Sequence, residues 1–300
     1  MNYFRRLICL VLSCIGMCSS AYAQFKAEVK TIEVGDVKLA YYIRGEGKPL
    51  VMINGFISTM SLWDPALIEE LAKNYQLILF DNRGVGLSTD TKENNTTIPQ
   101  MADDVAGLIK NLGYKKVNVV AWSMGARIGQ QLLIRHPALV EKVILCSANP
   151  GGTHADETAQ DVESKLNNPN IPMMEKVGLV FTNNEQGKLA AKDVIARIKE
   201  AVAAGTIPDD FNVSKETTIR QNRARTTLWS SNNENFNALK NIKTPVLLAD
   251  GRNDIIDMPK NSVIIANQIP YSWTAFLDGG HAFLFQSHQQ FSNLVYAFLQ

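Results

Sequence analysis

A chain of 300 residues, 46% of them hydrophobic, is long and apolar enough for one large α/β domain with or without an insertion, and too apolar to be disordered. Its formal net charge of +1 excludes the strong field that draws nucleic acid or an anionic membrane surface.

The opening stretch MNYFRRLICLVLSCIGMCSSAYAQ is organised as a secretory signal. Arg5 and Arg6 form its basic region, Leu7 to Met17 its apolar region, and Ala21-Tyr22-Ala23 a small-residue cleavage pattern. Removal of residues 1–23 and export to the periplasm or the medium are expected. The apolar run is shorter than the ~20 residues a membrane span needs, so no stable membrane insertion is expected after cleavage. Lipid attachment at Cys18 is the lesser alternative, because Ile15, Gly16 and Met17 match such a signal poorly. Cys9, Cys14 and Cys18 leave with the signal. Cys146 stays behind in the run EKVILCSA, as a buried inert thiol in a protein with no internal disulfide.

AEVKTIEV and VKLAYYIRG alternate in polarity around Gly35-Asp36 and predict an antiparallel hairpin. Short apolar runs follow at 49–55, 76–81, 116–122, 142–148, 245–251 and 273–279, with helix-like segments near 60–73, 98–112, 124–136, 259–268 and 288–299. Strands apolar on both faces that alternate with helices imply a mainly parallel sheet covered on both sides. From Asn149 to Asn241 no buried strand is evident, only helix-like runs such as KLAAKDVIARIKEAVAAG. A structureless loop of that length is implausible, so residues 149–241 read as an inserted helical cap on a core of 24–148 and 242–300.

In such a sheet ligands bind beyond the carboxyl ends of the strands. NVVAW ends at Ser123 and the helix MGARIGQQLLIRH begins at once, a sharp turn that would lift the serine oxygen above the sheet. A serine hydroxyl is a weak nucleophile and needs a base held by a third group. His281, after the strand WTAFLDG and between glycine and alanine, is the base candidate. LADGRNDIIDMP brings Asp250, Asp254 and Asp257 to another strand end as candidate acids. Two backbone N–H groups are required for the developing oxyanion. Met124, after the nucleophile, and Phe56, in the loop MINGFIST where Gly55 would permit an unusual turn, are the expected donors.

Together these motifs resemble the α/β-hydrolase superfamily, in the group with a helical cap after the sixth strand. The resemblance runs through Asn54-Gly55-Phe56, Trp63, the stretch DNRGVGLS (Asp81 to Ser88), Gly-x-x-Asp as GRND, and Gly280-His281. It departs from the family at Ala121, where a glycine is usual, and at Asn54, where a histidine is. The resemblance implies an eight-stranded, mainly parallel sheet flanked by helices, and makes Asp254 the acid of a Ser123-Asp254-His281 triad. It also implies hydrolysis of an ester or related acyl bond, with carbon–carbon bond hydrolysis and cofactor-free peroxidase activity as family alternatives. A non-catalytic binding or signalling protein on the same fold is the alternative outside enzymes.

No cofactor is required by this chemistry, and no metal-ligand spacing of Cys or His is present. The expected partner is a small, partly apolar substrate. Met173, Met174 and Phe181 of IPMMEKVGLVF, with Asn54 and Trp122, are the expected contacts, although the cap residues also suit packing of the cap on the core. RQNRAR (220–225) reads as a solvated helix face. Oligomeric state is not encoded in any of these patterns.

Overall fold

A computed structural model of the chain describes residues 25–300 apart from 92–95, 169, 172 and 232, and the signal expected at 1–23 lies outside the described residues. The strands are β1 (Lys30–Val34), β2 (Val37–Arg44), β3 (Lys48–Ile53), β4 (Tyr75–Phe80), β5 (Val117–Trp122), β6 (Val140–Cys146), β7 (Val246–Gly251) and β8 (Ser272–Leu277). They form one eight-stranded sheet in the order β1-β2-β4-β3-β5-β6-β7-β8. The hairpin β1-β2 is antiparallel, β2 is antiparallel to β4, and every later pairing is parallel. Gly35 turns the hairpin with φ 56°, a conformation that costs glycine little.

Helices cover both faces. On one lie α1 (Pro65–Leu71) and the C-terminal α12 (His288–Leu299), preceded by the short α11 (Phe283–Gln286). On the other lie α2 (Ile98–Asn111), α3 (Met124–Arg135) and α10 (Pro259–Ala266). This cover explains why β5, VNVVAW, is buried at every residue. The apolar run of β8 is different: with a neighbour on one side only, it leaves Trp273 54% exposed, packed edge-on against Phe298. Trp63, fully buried between Trp122 and Phe285, ties the first turn after β3 to the sheet. Burying its ~200 Å² at ~25 cal/mol per Å² is worth up to about 5 kcal/mol.

Between β6 and β7 the chain leaves the sheet and forms α4 (Gln160–Asn167), α5 (Met173–Val180), α6 (Glu185–Ala204), α7 (Lys215–Arg225), α8 (Thr227–Ser230) and α9 (Glu234–Leu239). Asn184 caps α6 by accepting from Gly187, and Gly205 ends it in the left-handed conformation. Arg197 of α6 grips Asp64, the fully buried N-cap of α1, through two 2.8 Å bonds. The insertion is not uniform in its packing. Trp229 and Leu239 join the core cluster under α3, where Asn235 also donates to Gln130 at 2.9 Å.

Helix α7 departs from the expected solvated face. Gln221 is fully buried and Arg225 is 8% exposed. Some of its charged residues find partners on the inner side, while Arg223 stays exposed: Arg225 pairs with Glu163 at 2.7 Å, and Arg220 pairs with Asp90 of the loop after β4.

The motif DNRGVGLS forms that loop. Arg83 has no exposed side-chain surface and holds Asp104 of α2 through bonds of 2.6 and 2.7 Å, with a third contact to Asp36 at 3.0 Å. Asp81 accepts from the backbone of Met60 and Leu87. An isolated bridge between Val85 and Val213 then links the loop to the insertion.

Candidate active site

Ser123 stands between β5 and α3 with φ 59° and ψ −122°, a conformation a non-glycine residue rarely adopts. Such backbone strain costs about 1–3 kcal/mol and persists only where the surroundings impose it. Here the Ser123 N–H donates to Cys146 at 2.9 Å, and its carbonyl accepts from Ala126 at 2.8 Å, so the turn is pinned at both ends. The helix can start this close to β3 only because residue 125 has no side chain. A Cβ on Gly125 would lie 2.3 Å from the Ile53 carbonyl oxygen. Ala121 fits where a glycine is usual because Gly129 faces it from α3, where a Cβ would approach the Ala121 methyl to 3.2 Å.

The loop after β7 and the loop after β8 converge on this turn. His281 Nε2 lies 2.8 Å from Ser123 Oγ, and His281 Nδ1 lies 2.8 Å from Asp254 Oδ2. His281 and Asp254 are buried, whereas Ser123 is partly exposed. The other Asp254 oxygen accepts the N–H groups of Ile256 and Asp257 at 2.8 and 3.2 Å. Its acceptor positions are therefore assigned by geometry: one faces the ring, the other the backbone. Burial opposes protonation of His281, but the adjacent Asp254 charge and hydrogen bond, helped by Asp257, outweigh it and raise its pKa above the ordinary 6.5.

The other two acids of LADGRNDIIDMP do not touch the ring. Asp250 is fully buried and accepts from Ser262 at 2.8 Å. Burial and the charge of Asp254 push its carboxyl well above the usual carboxylate range. Asp257 pairs with Arg127 at 2.7 Å. No motif in the sequence marks Arg127 or Gln221 as part of the site. Three carboxylates within eight residues are the one signal that called for a buried cation nearby.

The loop after β3 lies against Ser123. Asn54 is fully buried, and both ends of its amide are committed: Oδ1 accepts from Gly55 at 2.9 Å and Nδ2 donates to the Thr59 carbonyl at 2.7 Å. In this arrangement its amide braces the loop. The unusual turn expected at Gly55 sits instead at Ile57, with φ 49°. Among the described residues, no acceptor takes the N–H of Phe56 or of Met124.

Trp122, also expected as a substrate contact, is 7% exposed and lies under His281. Its indole N–H donates to the His281 carbonyl at 2.8 Å, so it supports the ring from behind. Phe181 is 9% exposed and packs in the same cluster as Trp122 and Phe285. It also borders a depression of about 270 Å³ with Asn253 and Ile255. The side chains of Met173 and Met174 lie outside the described part of the structure. Cys146 is buried, and burial keeps its thiol protonated.

A hydroxyl, an imidazole and a carboxylate in line, beside two unspent N–H donors, form an arrangement able to generate an alkoxide and to receive an oxyanion. Known proteins with this architecture are similar along most of the chain. An α/β hydrolase fold protein from Chitinophaga pinensis superposes with a TM-score of 0.81 and 25% identity, covering 92% of this chain and 98% of that one. The enol-lactonase from Burkholderia xenovorans superposes with a TM-score of 0.69 at 24% identity, over 90% of this chain and 99% of that one, a likeness of fold. The "Putative non-heme bromoperoxidase BpoC" of Mycobacterium tuberculosis is 28% identical over 252 residues, 83% of this chain and 93% of its own length. The family model for the alpha/beta hydrolase fold matches residues 48–287, and the chain belongs to that family.

Proposed function

We propose that the protein is a serine hydrolase that cleaves a carboxylic ester or related acyl bond of a small, partly apolar substrate through an acyl-enzyme. The observation that carries this reading is the unbroken chain of 2.8 Å contacts from Ser123 Oγ through His281 to Asp254. His281, neutral and protonated on Nδ1, takes the hydroxyl proton on Nε2 as Ser123 Oγ attacks the carbonyl carbon. Asp254 keeps Nδ1–H in place and favours the imidazolium that forms. The tetrahedral oxyanion is received by the N–H groups of Phe56 and Met124. On collapse the bond to the leaving oxygen breaks and His281 gives it the proton, releasing the alcohol; water, deprotonated by His281, then attacks the acyl-enzyme, and His281 returns the proton to Ser123 Oγ as the acid leaves.

The hydrogen bonds of Asp250 and Asn54 go to Ser262 and to the loop after β3 rather than to Ser123, so His281 is the group placed to serve as its base. Similarity to the bromoperoxidase-named relative favours one further reading, in which hydrogen peroxide replaces water and the released product is a peracid. Export belongs to the proposal as well, with mature protein beginning after Ala23. A panel of chromogenic esters of increasing acyl length tests the main reading. Turnover by the intact protein and its loss in Ser123→Ala with unchanged thermal unfolding are expected. Equal turnover by the variant would refute it.

A further inference from the structure

Gln221 lies on α7 of the insertion, 164 residues along the chain from the loop it touches, yet its Oε1 accepts the N–H of Ile57 at 2.9 Å. Ile57 is the residue after Phe56 and holds φ 49°, a left-handed conformation that a β-branched side chain disfavours. The donors along this loop are thus apportioned: Gly55 N–H goes to Asn54, Ile57 N–H goes to Gln221, and the Phe56 N–H between them is left over. Each fixed N–H fixes its peptide plane, so the two bonds set the Asn54–Gly55 and Phe56–Ile57 planes, which flank the Gly55–Phe56 peptide that carries the Phe56 N–H.

The same insertion holds the loop at neighbouring points. The Arg225 guanidinium stacks over the Phe56 ring at 4.5 Å, Thr59 donates to the Asp210 carbonyl at 3.0 Å, and Ser61 donates to the Pro208 carbonyl at 2.8 Å. Gln221 itself is fully buried, and its Nε2 has no partner among the described residues. Only its oxygen is used.

We infer that Gln221 is a positioning residue: through Ile57 it aims the Phe56 N–H at the reacting carbonyl oxygen, so the insertion completes the oxyanion site as well as covering it. The inference rests on the serine-hydrolase reading proposed above. Deleting one oxyanion donor costs about 10²–10³ in kcat, and misaiming one costs less, about ten- to a hundredfold.

Gln221→Met keeps the length and removes the acceptor. Gln221→Glu keeps an acceptor oxygen and, because Nε2 has no partner among the described residues, gives up no hydrogen bond; burial favours the neutral acid, which accepts from Ile57 as the amide does. Steady-state and single-turnover kinetics on a chromogenic ester are measured for both, with Ser123→Ala in the same assay and thermal unfolding as the check on folding. The expected result is a ten- to hundredfold loss of kcat in Gln221→Met, a KM within about threefold of the unsubstituted protein, and the same pH midpoint. In Gln221→Glu most of kcat returns. If Gln221→Met fails to fold, Gln221→Glu decides alone, and a loss of kcat as large as a donor deletion overturns the inference. A raised KM with unchanged kcat in Gln221→Met would make Gln221 a substrate contact, and unchanged kinetics would make it a packing residue; either result overturns the inference while leaving Ser123 as nucleophile. Full activity in Ser123→Ala overturns both.

Discussion

Replacing Asp254 with Asn tests the His281 orientation at one atom. The variant is isosteric, so two amide orientations compete for the space of the carboxylate. In one, the amide oxygen accepts from Ile256 and Asp257, as Asp254 Oδ1 does at 2.8 and 3.2 Å, and the amide NH₂ faces His281 Nδ1. In the other, NH₂ is forced against those two backbone N–H groups. Leaving two buried donors without acceptors costs about 1–3 kcal/mol each, so the first orientation wins by at least tenfold. It presents a donor to Nδ1, which must then accept, and the ring proton moves to Nε2. Nε2 lies 2.8 Å from Ser123 Oγ and can no longer take its proton. The expected loss in kcat is about 10⁴-fold, the magnitude for a triad acid turned into an amide, or about 5 kcal/mol of transition-state stabilisation. Asp250→Asn is the matched control: burial already disfavours the charged form of Asp250, which touches Ser262 rather than the ring, so a loss below about tenfold is expected. Ester turnover by both purified variants, with thermal unfolding alongside, measures the ranking. A larger loss in Asp250→Asn would refute the assignment.

Four further outcomes follow from the structure. His281 must be neutral to act as base, and its pKa is raised, so kcat/KM should climb with pH through a midpoint above 6.5 and level off on the alkaline side; an acid-to-neutral profile that is flat would contradict this. The same shift contributes stability that is present below the unfolded value and lost as pH rises through the folded one. Asp104→Ala leaves the buried Arg83 with only the half-exposed Asp36 to pair with, and should cost about 2–4 kcal/mol in urea unfolding, below the full penalty of an unpaired buried charge; a change under about 1 kcal/mol would show that the Asp104 pair is not closed. Gly125→Ala puts a methyl 2.3 Å from the Ile53 oxygen, so α3 or β3 must move, with an expected cost of about 1–3 kcal/mol and a larger proportional loss of activity. Unchanged unfolding and kinetics would mean that the close approach is relaxed in solution.

The sheet was legible where burial on both faces leaves continuous apolar runs, as in β5, and where alternation marks the β1-β2 hairpin. Ser123, Asp254 and His281 could be picked out because each lies just past a strand, and parallel strands deliver their carboxyl ends to one edge. The supporting residues were not legible for the opposite reason. Gln221 and Arg127 are buried by partners far along the chain, Ile57 and Asp257, and a polar residue of that kind carries no periodic trace of its burial. Arg225 sits in RQNRAR, which has the composition of a wet helix and becomes buried only because Glu163 and Phe56 receive it. Asn54 and Trp122 were correctly associated with the loop and the turn, but which way their side chains point depends on Thr59 and His281. Edge position, as for Trp273, depends on strand order, which no local pattern states.

Covalent capture of the nucleophile tests the central claim most directly. The protein is treated with a fluorophosphonate, digested, and mapped by mass spectrometry, with Ser123→Ala and His281→Ala treated in parallel. The account predicts one phosphonyl adduct, on the peptide carrying Ser123, formed as turnover is lost, absent from Ser123→Ala and strongly slowed in His281→Ala. Full inhibition with the adduct on another residue, or undiminished labelling of Ser123→Ala, would contradict it.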